Sequence, residues 1–212
     1  MNLTIGSGDI SALMAGINTK TFGDLMRKFV AEDKPYYNAL ASPIDALRTG
    51  AILEQNYLKL LSDDYFIQYK ATNEEMDVFT SSIDFAKING GKIVDFDEMK
   101  TIHFSDYIGL IHPMIGLEEK EQKTLLLKNF KKNYYQVQAQ LFCSKLESAN
   151  IVFVSVDSYI DEENLFRVIQ ENEYSKFRIY RDEAIISQIK ERGKIFQSIK
   201  DYFKESIKIS KK

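Results

Sequence analysis

The chain has no tryptophan, one cysteine, two histidines and three prolines in 212 residues. The lone Cys143 excludes an internal disulfide framework and any zinc or iron–sulfur site built on cysteines. His103 and His112 stand apart from each other and from any catalytic constellation, a poor basis for a two-histidine zinc site. No run of about 18 apolar residues is present, so no membrane-spanning helix is predicted. The opening MNLTIGSGDI lacks the basic-then-apolar pattern of a signal peptide, and a cytoplasmic location is expected. A formal net charge of −3 argues against a protein that simply coats nucleic acid. No internal repeat or low-complexity linker breaks the chain.

What is abundant points to a packed interior. Hydrophobic residues make up 44% of the chain, with 14 Phe and 12 Tyr, enough for one substantial core in one domain spanning residues 1–212. Charge is uneven. Residues 1–117 carry 16 acids and 10 bases, residues 118–212 carry 15 acids and 18 bases. The C-terminal half therefore suits a polyanion or, equally, has ordinary solubilising lysines.

Periodicity predicts a short helical turn at GSGDISALMAG, a helix at TKTFGDLMRKFVAED with Thr21 as cap, and another at SPIDALRTGAILEQNYLKLLSDD. In the last, Ser42 caps, Pro43 takes the first helical position, and Leu47, Ile52, Leu53, Tyr57, Leu60 and Leu61 form the apolar surface. Gly50 inside it suggests close packing or a functional surface. YFIQYKA, MDVFTSSIDFAKI and KIVDFDEMKTI read as strands, the last two joined by the hairpin turn NGG. HFSDYIGLIHPMIGLEEKEQ reads as an irregular connection with short helical pieces. A helix broken near Asn133 follows, then a buried strand at NIVFVSVDSY. Helices are expected at DEENLFRVIQENE and from Tyr180 onward, the latter with Ile185, Ile189, Ile195, Ile199 and Phe203 on its apolar stripe. The whole is an α/β domain with a central mixed sheet flanked by helices, residues 180–212 forming a C-terminal helical extension.

The chemistry concentrates in VDFDEMK. Strand alternation places Val94, Phe96, Glu98 and Lys100 on one face and Asp95, Asp97 and Met99 on the other. An apolar face that turns charged at its end marks a core giving way to a cleft. A carboxylate can hold a hard divalent cation, and an ammonium two residues on can orient water or offset phosphate charge. Asp84 in SSIDF lies across the hairpin and is the natural second ligand. Glu54 on the RTGAILEQ helix supplies a third oxygen. Three carboxylates at one place repel unless a metal resolves the repulsion. The bland alternative is a charged edge strand whose carboxylates lie apart.

This conjunction resembles the PD-(D/E)xK nucleases, and within them the YqaJ-like phage-type recombination exonucleases that include lambda exonuclease. IGSGDISALMAG looks like the family's opening, RTGAILEQNY like its Gly-x-x-x-Glu helix, SSIDF with DEMKT like its Asp…Glu-x-Lys core, and YYQVQAQLFCSKLESANIVFVSVD like its Tyr-x-x-Gln-x-Gln helix and following strand. The resemblance covers about residues 5–158. It implies a single restriction-endonuclease-like domain and Mg²⁺-dependent hydrolysis of DNA, with Mn²⁺ as a substitute. It implies Asp84, Glu98, the backbone carbonyl of Met99 and Glu54 as metal ligands. Lys100 would position the attacking water, and Gln138 would sit at the active-site helix holding a water or phosphate. Gln136 and Gln140 share a different helix face at i,i+4 spacing. The implied activity is 5′-to-3′ exonucleolysis of double-stranded DNA by a homotrimer working with a single-strand annealing protein in phage recombination, in the host cytoplasm if phage-encoded.

Two departures bear on the substrate. The family's Pro-Asp-Gly is here Ile83-Asp84-Phe85, and its upstream arginine for the terminal phosphate is absent, leaving Ser7 and Arg48 as phosphate contacts beside Gln138. The alternatives are a structure-specific or restriction-like endonuclease, and a catalytically silent DNA-binding or assembly protein on a nuclease fold.

Overall fold

The computed structural model describes residues 4–30, 44–156 and 165–210. Its organising element is the hairpin closed by Asn89-Gly90-Gly91. Gly90 and Gly91 sit at φ +57° and +75°, the two left-handed positions that a two-residue turn between twisted strands requires. The flanking strands, β3 (Phe79–Asn89) and β4 (Lys92–Ile102), pair antiparallel from Asn89↔Lys92 to Phe85↔Asp97, with one irregularity between Lys87 and Ile88.

Strands β1 (Ile5–Gly6) and β2 (Tyr65–Thr72) both meet Thr80 of β3, so they lie on opposite edges of it. β4 pairs in parallel with β5 (Ser148–Ser155), and β5 antiparallel with β6 (Tyr174–Tyr180). The sheet order is β1-β3-β4-β5-β6, with β2 on β3. This is the predicted mixed sheet, and one junction in it, β4 to β5, demands a crossover connection. The crossover runs through the short α4 (Phe104–Asp106), further irregular turns to Met114, then α5 (Glu119–Asn129) and α6 (Lys131–Ser144). The break between the last two falls at Phe130 (φ −131°, ψ 36°), not at Asn133.

The remaining described α-helices are α1 (Ile10–Leu13), α2 (Lys20–Val30), α3 (Ile44–Leu58) and α7 (Glu183–Ser210). Alternation along β5 defines two faces. Ile151 and Phe153 join a large cluster with Ile10 and Leu13 of α1, Phe22 and Phe29 of α2, Val137 and Leu141 of α6, and Ile186 and Phe196 of α7. Val152 and Val154 join a smaller one with Leu53 and Tyr57 of α3, Phe85, Met99 and Leu165. The sheet is therefore sandwiched, with α3 on one face and α1, α2, α6 and α7 on the other.

Several local expectations change. The cap of α2 is Thr19: its Oγ1 accepts the Phe22 N–H at 3.3 Å. Ser42 and Pro43, and the side chains of Leu47 and Phe203, lie outside the described residues. A Cβ built at Gly50 meets nothing within 4 Å, so close packing does not explain that glycine. Residues 157–164 of the DEENLFRVIQENE helix are also outside the described residues. Beyond Leu165 only a single 3-10 turn, Glu171–Glu173, remains of the expected helix: Arg167 pairs with Glu173, and Gln170 with Glu173 forms the capping box of that turn before the chain enters β6. That strand was not predicted, although Ser175, Phe177 and Ile179 are buried in strict alternation with exposed Lys176, Arg178 and Tyr180.

The C-terminal helix begins at Glu183 rather than Tyr180, and its first half belongs to the core. Ile185, Ile186, Ile189 and Phe196 are buried, and Ile195 is only half-buried. Gly193 lets α7 lie on Phe79: an added Cβ would stand 2.4 Å from the Phe79 ring. Phe79 is itself 1% exposed and packed edge-on against Phe142. Gly193→Ala should therefore cost about 1–3 kcal/mol through overpacking. Gly23→Ala in α2, where the added methyl meets nothing within 4 Å, should stabilise by roughly 0.5–1 kcal/mol. Urea unfolding midpoints of the two variants check the opposite signs.

Candidate active site

The β3–β4 ladder stops at Phe85↔Asp97. One step further would set Asp84 opposite Glu98. There the Asp84 carboxylate takes the place of a backbone partner and accepts the Met99 N–H at 2.9 Å. Where the strands part, side chains from both sheet faces converge. Glu98 comes from β4 and is wholly buried. Lys100, two residues on, donates to Glu98 Oε1. Glu54 reaches in from α3 and interacts electrostatically with Glu98, Lys100 and Asp84. The four residues predicted from alternation and resemblance are thus brought together.

The glutamines differ from expectation. Gln136 and Gln140 of α6 both donate to Glu98, one to each oxygen, and Gln140 also donates to the Ser82 carbonyl at 3.0 Å. Gln138 points elsewhere. It donates to the Tyr180 carbonyl and accepts the Asp182 N–H, both at 2.8 Å, tying α6 to the junction of β6 and α7. The i,i+4 spacing of Gln136 and Gln140 was the signal for a shared face. Ser7 is buried just past the end of β1, whose pairing with β3 stops at Thr80, four residues before Asp84. Arg48 is exposed on α3, six residues before Glu54.

The electrostatics follow from crowding. The Asp84 carboxyl is pushed up to about 8 by burial first, then by Glu98, with Glu54 adding and Lys100 opposing. Burial also raises the Glu54 carboxyl, against a hydrogen bond from Gln68. For Lys100, burial pulls down but Glu98, Asp84 and Glu54 push further up, so its pKa stands above the ordinary value and the amine is an ammonium at neutral pH. Three acids face one base.

This donor set fits a hard divalent cation. Asp84 and Glu98 offer carboxylate oxygens, and the Met99 carbonyl leaves β4 on the same edge as the N–H that Asp84 receives. Glu98 accepts three donors, which leaves it about one lone-pair direction. Among the described residues no group of three or more His, Cys, Asp or Glu side chains is placed to hold a metal ion by itself.

On the opposite face of β4, Asp97 is fully buried and was not singled out as structural. It accepts from Tyr57 Oη at 2.8 Å, Lys176 Nζ at 2.8 Å and Asn150 Nδ2 at 2.7 Å. Asp97 thereby ties α3, β5 and β6 to the strand that carries Glu98. Tyr57 lies one helical turn after Glu54, so the same bond sets how far α3 stands from the sheet. Its hydroxyl is held well above the ordinary tyrosine range, by burial first and then by Asp97.

No family model and no curated protein matches the chain. Solved structures do. The alkaline exonuclease LHK-Exo from Laribacter hongkongensis, crystallised with dAMP, superimposes at a TM-score of 0.67 with 14% identity over 98% of this chain and 92% of that one. A crystal structure of the same enzyme from Laribacter hongkongensis gives 0.65 over the same shares. A phage-related exonuclease from Haemophilus somnus 129PT gives 0.60 with 18% identity over 98% and 97%. The chain therefore shares its fold with these exonuclease structures. At 98% coverage the match takes in α7 as well.

The Asp84 shift predicts a pH dependence. The folded state keeps a proton that the unfolded chain loses near the ordinary value of 3.8. Metal-free stability should thus fall as pH rises from about 4 to about 8. Thermal midpoints in chelator at pH 5 and pH 8.5 should show that fall in the wild type and a shallower one in Asp84→Asn. Equal slopes in the two proteins would remove Asp84 as its source.

Proposed function

We propose that the protein hydrolyses phosphodiester bonds in DNA with a divalent cation, Mg²⁺ or Mn²⁺, and acts as a 5′-to-3′ exonuclease on double-stranded DNA in phage-type recombination. The observation that carries the reading is the convergence of Glu54, Asp84, Glu98 and Lys100 where β3 and β4 separate, in a fold shared with exonucleases.

Asp84, Glu98 and the Met99 carbonyl would hold one cation, with Glu54 serving a second or its water. When bound, such an ion lowers the pKa of water and offsets charge on the phosphate. The chain's own residues do the rest. Lys100, as an ammonium, donates to water or to a phosphate oxygen and stabilises charge that grows there. Gln136 and Gln140 fix both oxygens of Glu98, so that the carboxylate does not rotate away. The Gln140 side-chain oxygen is buried with no hydrogen-bond partner among the described residues, and it leaves an acceptor for water beside Glu98.

The polarity, the homotrimer and the annealing-protein partner rest on the family resemblance. Linear duplex DNA labelled at either end, beside closed circular DNA, tests the reading in Mg²⁺, Mn²⁺ or chelator. Loss of the 5′ label from linear DNA alone supports the exonuclease. Cutting of circular DNA shifts the reading to an endonuclease, and cutting of neither with any metal refutes it. Native mass measurement reads the oligomer directly.

Within that assay the side chains separate by role. Glu98→Gln and Lys100→Ala should each lower the cleavage rate at least about 100-fold, the scale for removing a group that stabilises transition-state charge. Gln138→Ala should instead lower stability by roughly 1–3 kcal/mol, because it strands the Tyr180 carbonyl and the Asp182 N–H. A folded Gln138→Ala protein should cleave at close to the wild-type rate. Rate measurements combined with urea unfolding distinguish these outcomes.

A further inference from the structure

The β2–β3 ladder keeps one register from Tyr65↔Lys87 to Thr72↔Thr80, but the pair Gln68–Asp84 is missing from it. At that place Gln68 has φ +52°. A left-handed conformation inside a strand is unusual for a residue other than glycine and costs conformational energy. Such strain persists where surrounding contacts enforce it, and it concentrates at functional sites.

The contacts at Gln68 are specific. Its Nε2 donates to Glu54 Oε2 at 3.3 Å, and its Oε1 accepts from Ser82 Oγ at 2.8 Å. The backbone carbonyl of the same Ser82 accepts from Gln140, which in turn holds Glu98. A continuous polar frame thus runs from Glu54 through Gln68, Ser82 and Gln140 to Glu98, around Asp84. A strand residue in ordinary extended conformation at position 68 would direct its side chain differently.

We propose that Gln68 is a positioning residue: its left-handed backbone aims the side-chain amide at Glu54 and sets where that carboxylate stands relative to Asp84 and Glu98. The proposal rests on the nuclease reading for its effect on cleavage, and on geometry alone for its effect on stability. Gln68 is exposed and fills no part of the core, so its replacement leaves the packing intact.

Three variants and one double variant test it. Gln68→Gly keeps the backbone conformation without strain but removes the amide. Gln68→Ala keeps the strain and removes the amide. Gln68→Asn tolerates the left-handed region and carries an amide one methylene too short. In chelator, Gln68→Gly and Gln68→Asn should melt above Gln68→Ala. With metal, all three should cleave DNA about tenfold more slowly than wild type and need more metal for half-maximal rate. Gln68→Gly should change nothing further in a Glu54→Gln background.

Wild-type rate and metal dependence in Gln68→Gly, with the wild type active, would overturn the positioning role. So would an undiminished effect of Gln68→Gly in the Glu54→Gln background. Inactivity of the wild type would instead refute the nuclease reading, and the melting order would still judge the backbone claim. Equal midpoints for Gln68→Gly and Gln68→Ala would overturn that claim.

Discussion

The constraint on which the site depends is the confinement of three carboxylates with one ammonium at the parting of two strands. Glu98 is fully buried and Asp84 partly so, and neither can recover in protein contacts all of the hydration it loses. The fold meets this by supplying donors to the charges individually: Lys100 and two glutamine amides to Glu98, the Met99 N–H to Asp84, the Gln68 amide to Glu54. What remains is an excess of carboxylates over the one ammonium of Lys100. Burial first, and then the repulsion from Glu98 and Glu54, leave the Asp84 carboxyl holding its proton to about pH 8. That imbalance is what the proposed cation would answer.

The surroundings of Asp97 show the same sheet solving the same problem for a purely structural purpose. One residue before Glu98 and on the other face, Asp97 is equally buried, but Tyr57, Asn150 and Lys176 leave it satisfied. Two adjacent acids on one strand thus have opposite fates. One is closed off and knits α3, β5 and β6 together, whereas the other stays over-crowded with like charge. Removing one member of the Asp97 group would leave a buried polar atom stranded, so its role is to keep α3, and with it Glu54, at a fixed distance from β4.

Much of this was legible in the sequence. Period-two alternation separated Glu98 and Lys100 from Asp95 and Asp97, and the NGG turn implied that Asp84 lies across from them. Local chemistry sufficed because a hairpin is a local object. The glutamines were legible only in part. Helical spacing grouped Gln136 with Gln140, but which face of α6 meets the sheet is decided by packing of Val137 and Leu141 against distant strands, and the family likeness favoured Gln138. β6 was missed because its alternation spans only seven residues, three of which carry polar or charged groups outward. Gln68 was not legible at all, since a positive φ at a residue other than glycine leaves no mark in composition.

The parallel junction between β4 and β5 has a further implication. A strand that is antiparallel on one edge and parallel on the other forces the chain to leave the sheet after Ile102 and travel over one face before it can return at Ser148. Such crossovers have a fixed hand, so the face over which α6 must pass is settled by chirality before any side chain is chosen. The strand that bears Glu98 and the helix that clamps it are consecutive parts of one looped path. In effect, the arrangement of the clamp is a topological property of the chain, and sequence is left to decide only which amides occupy it.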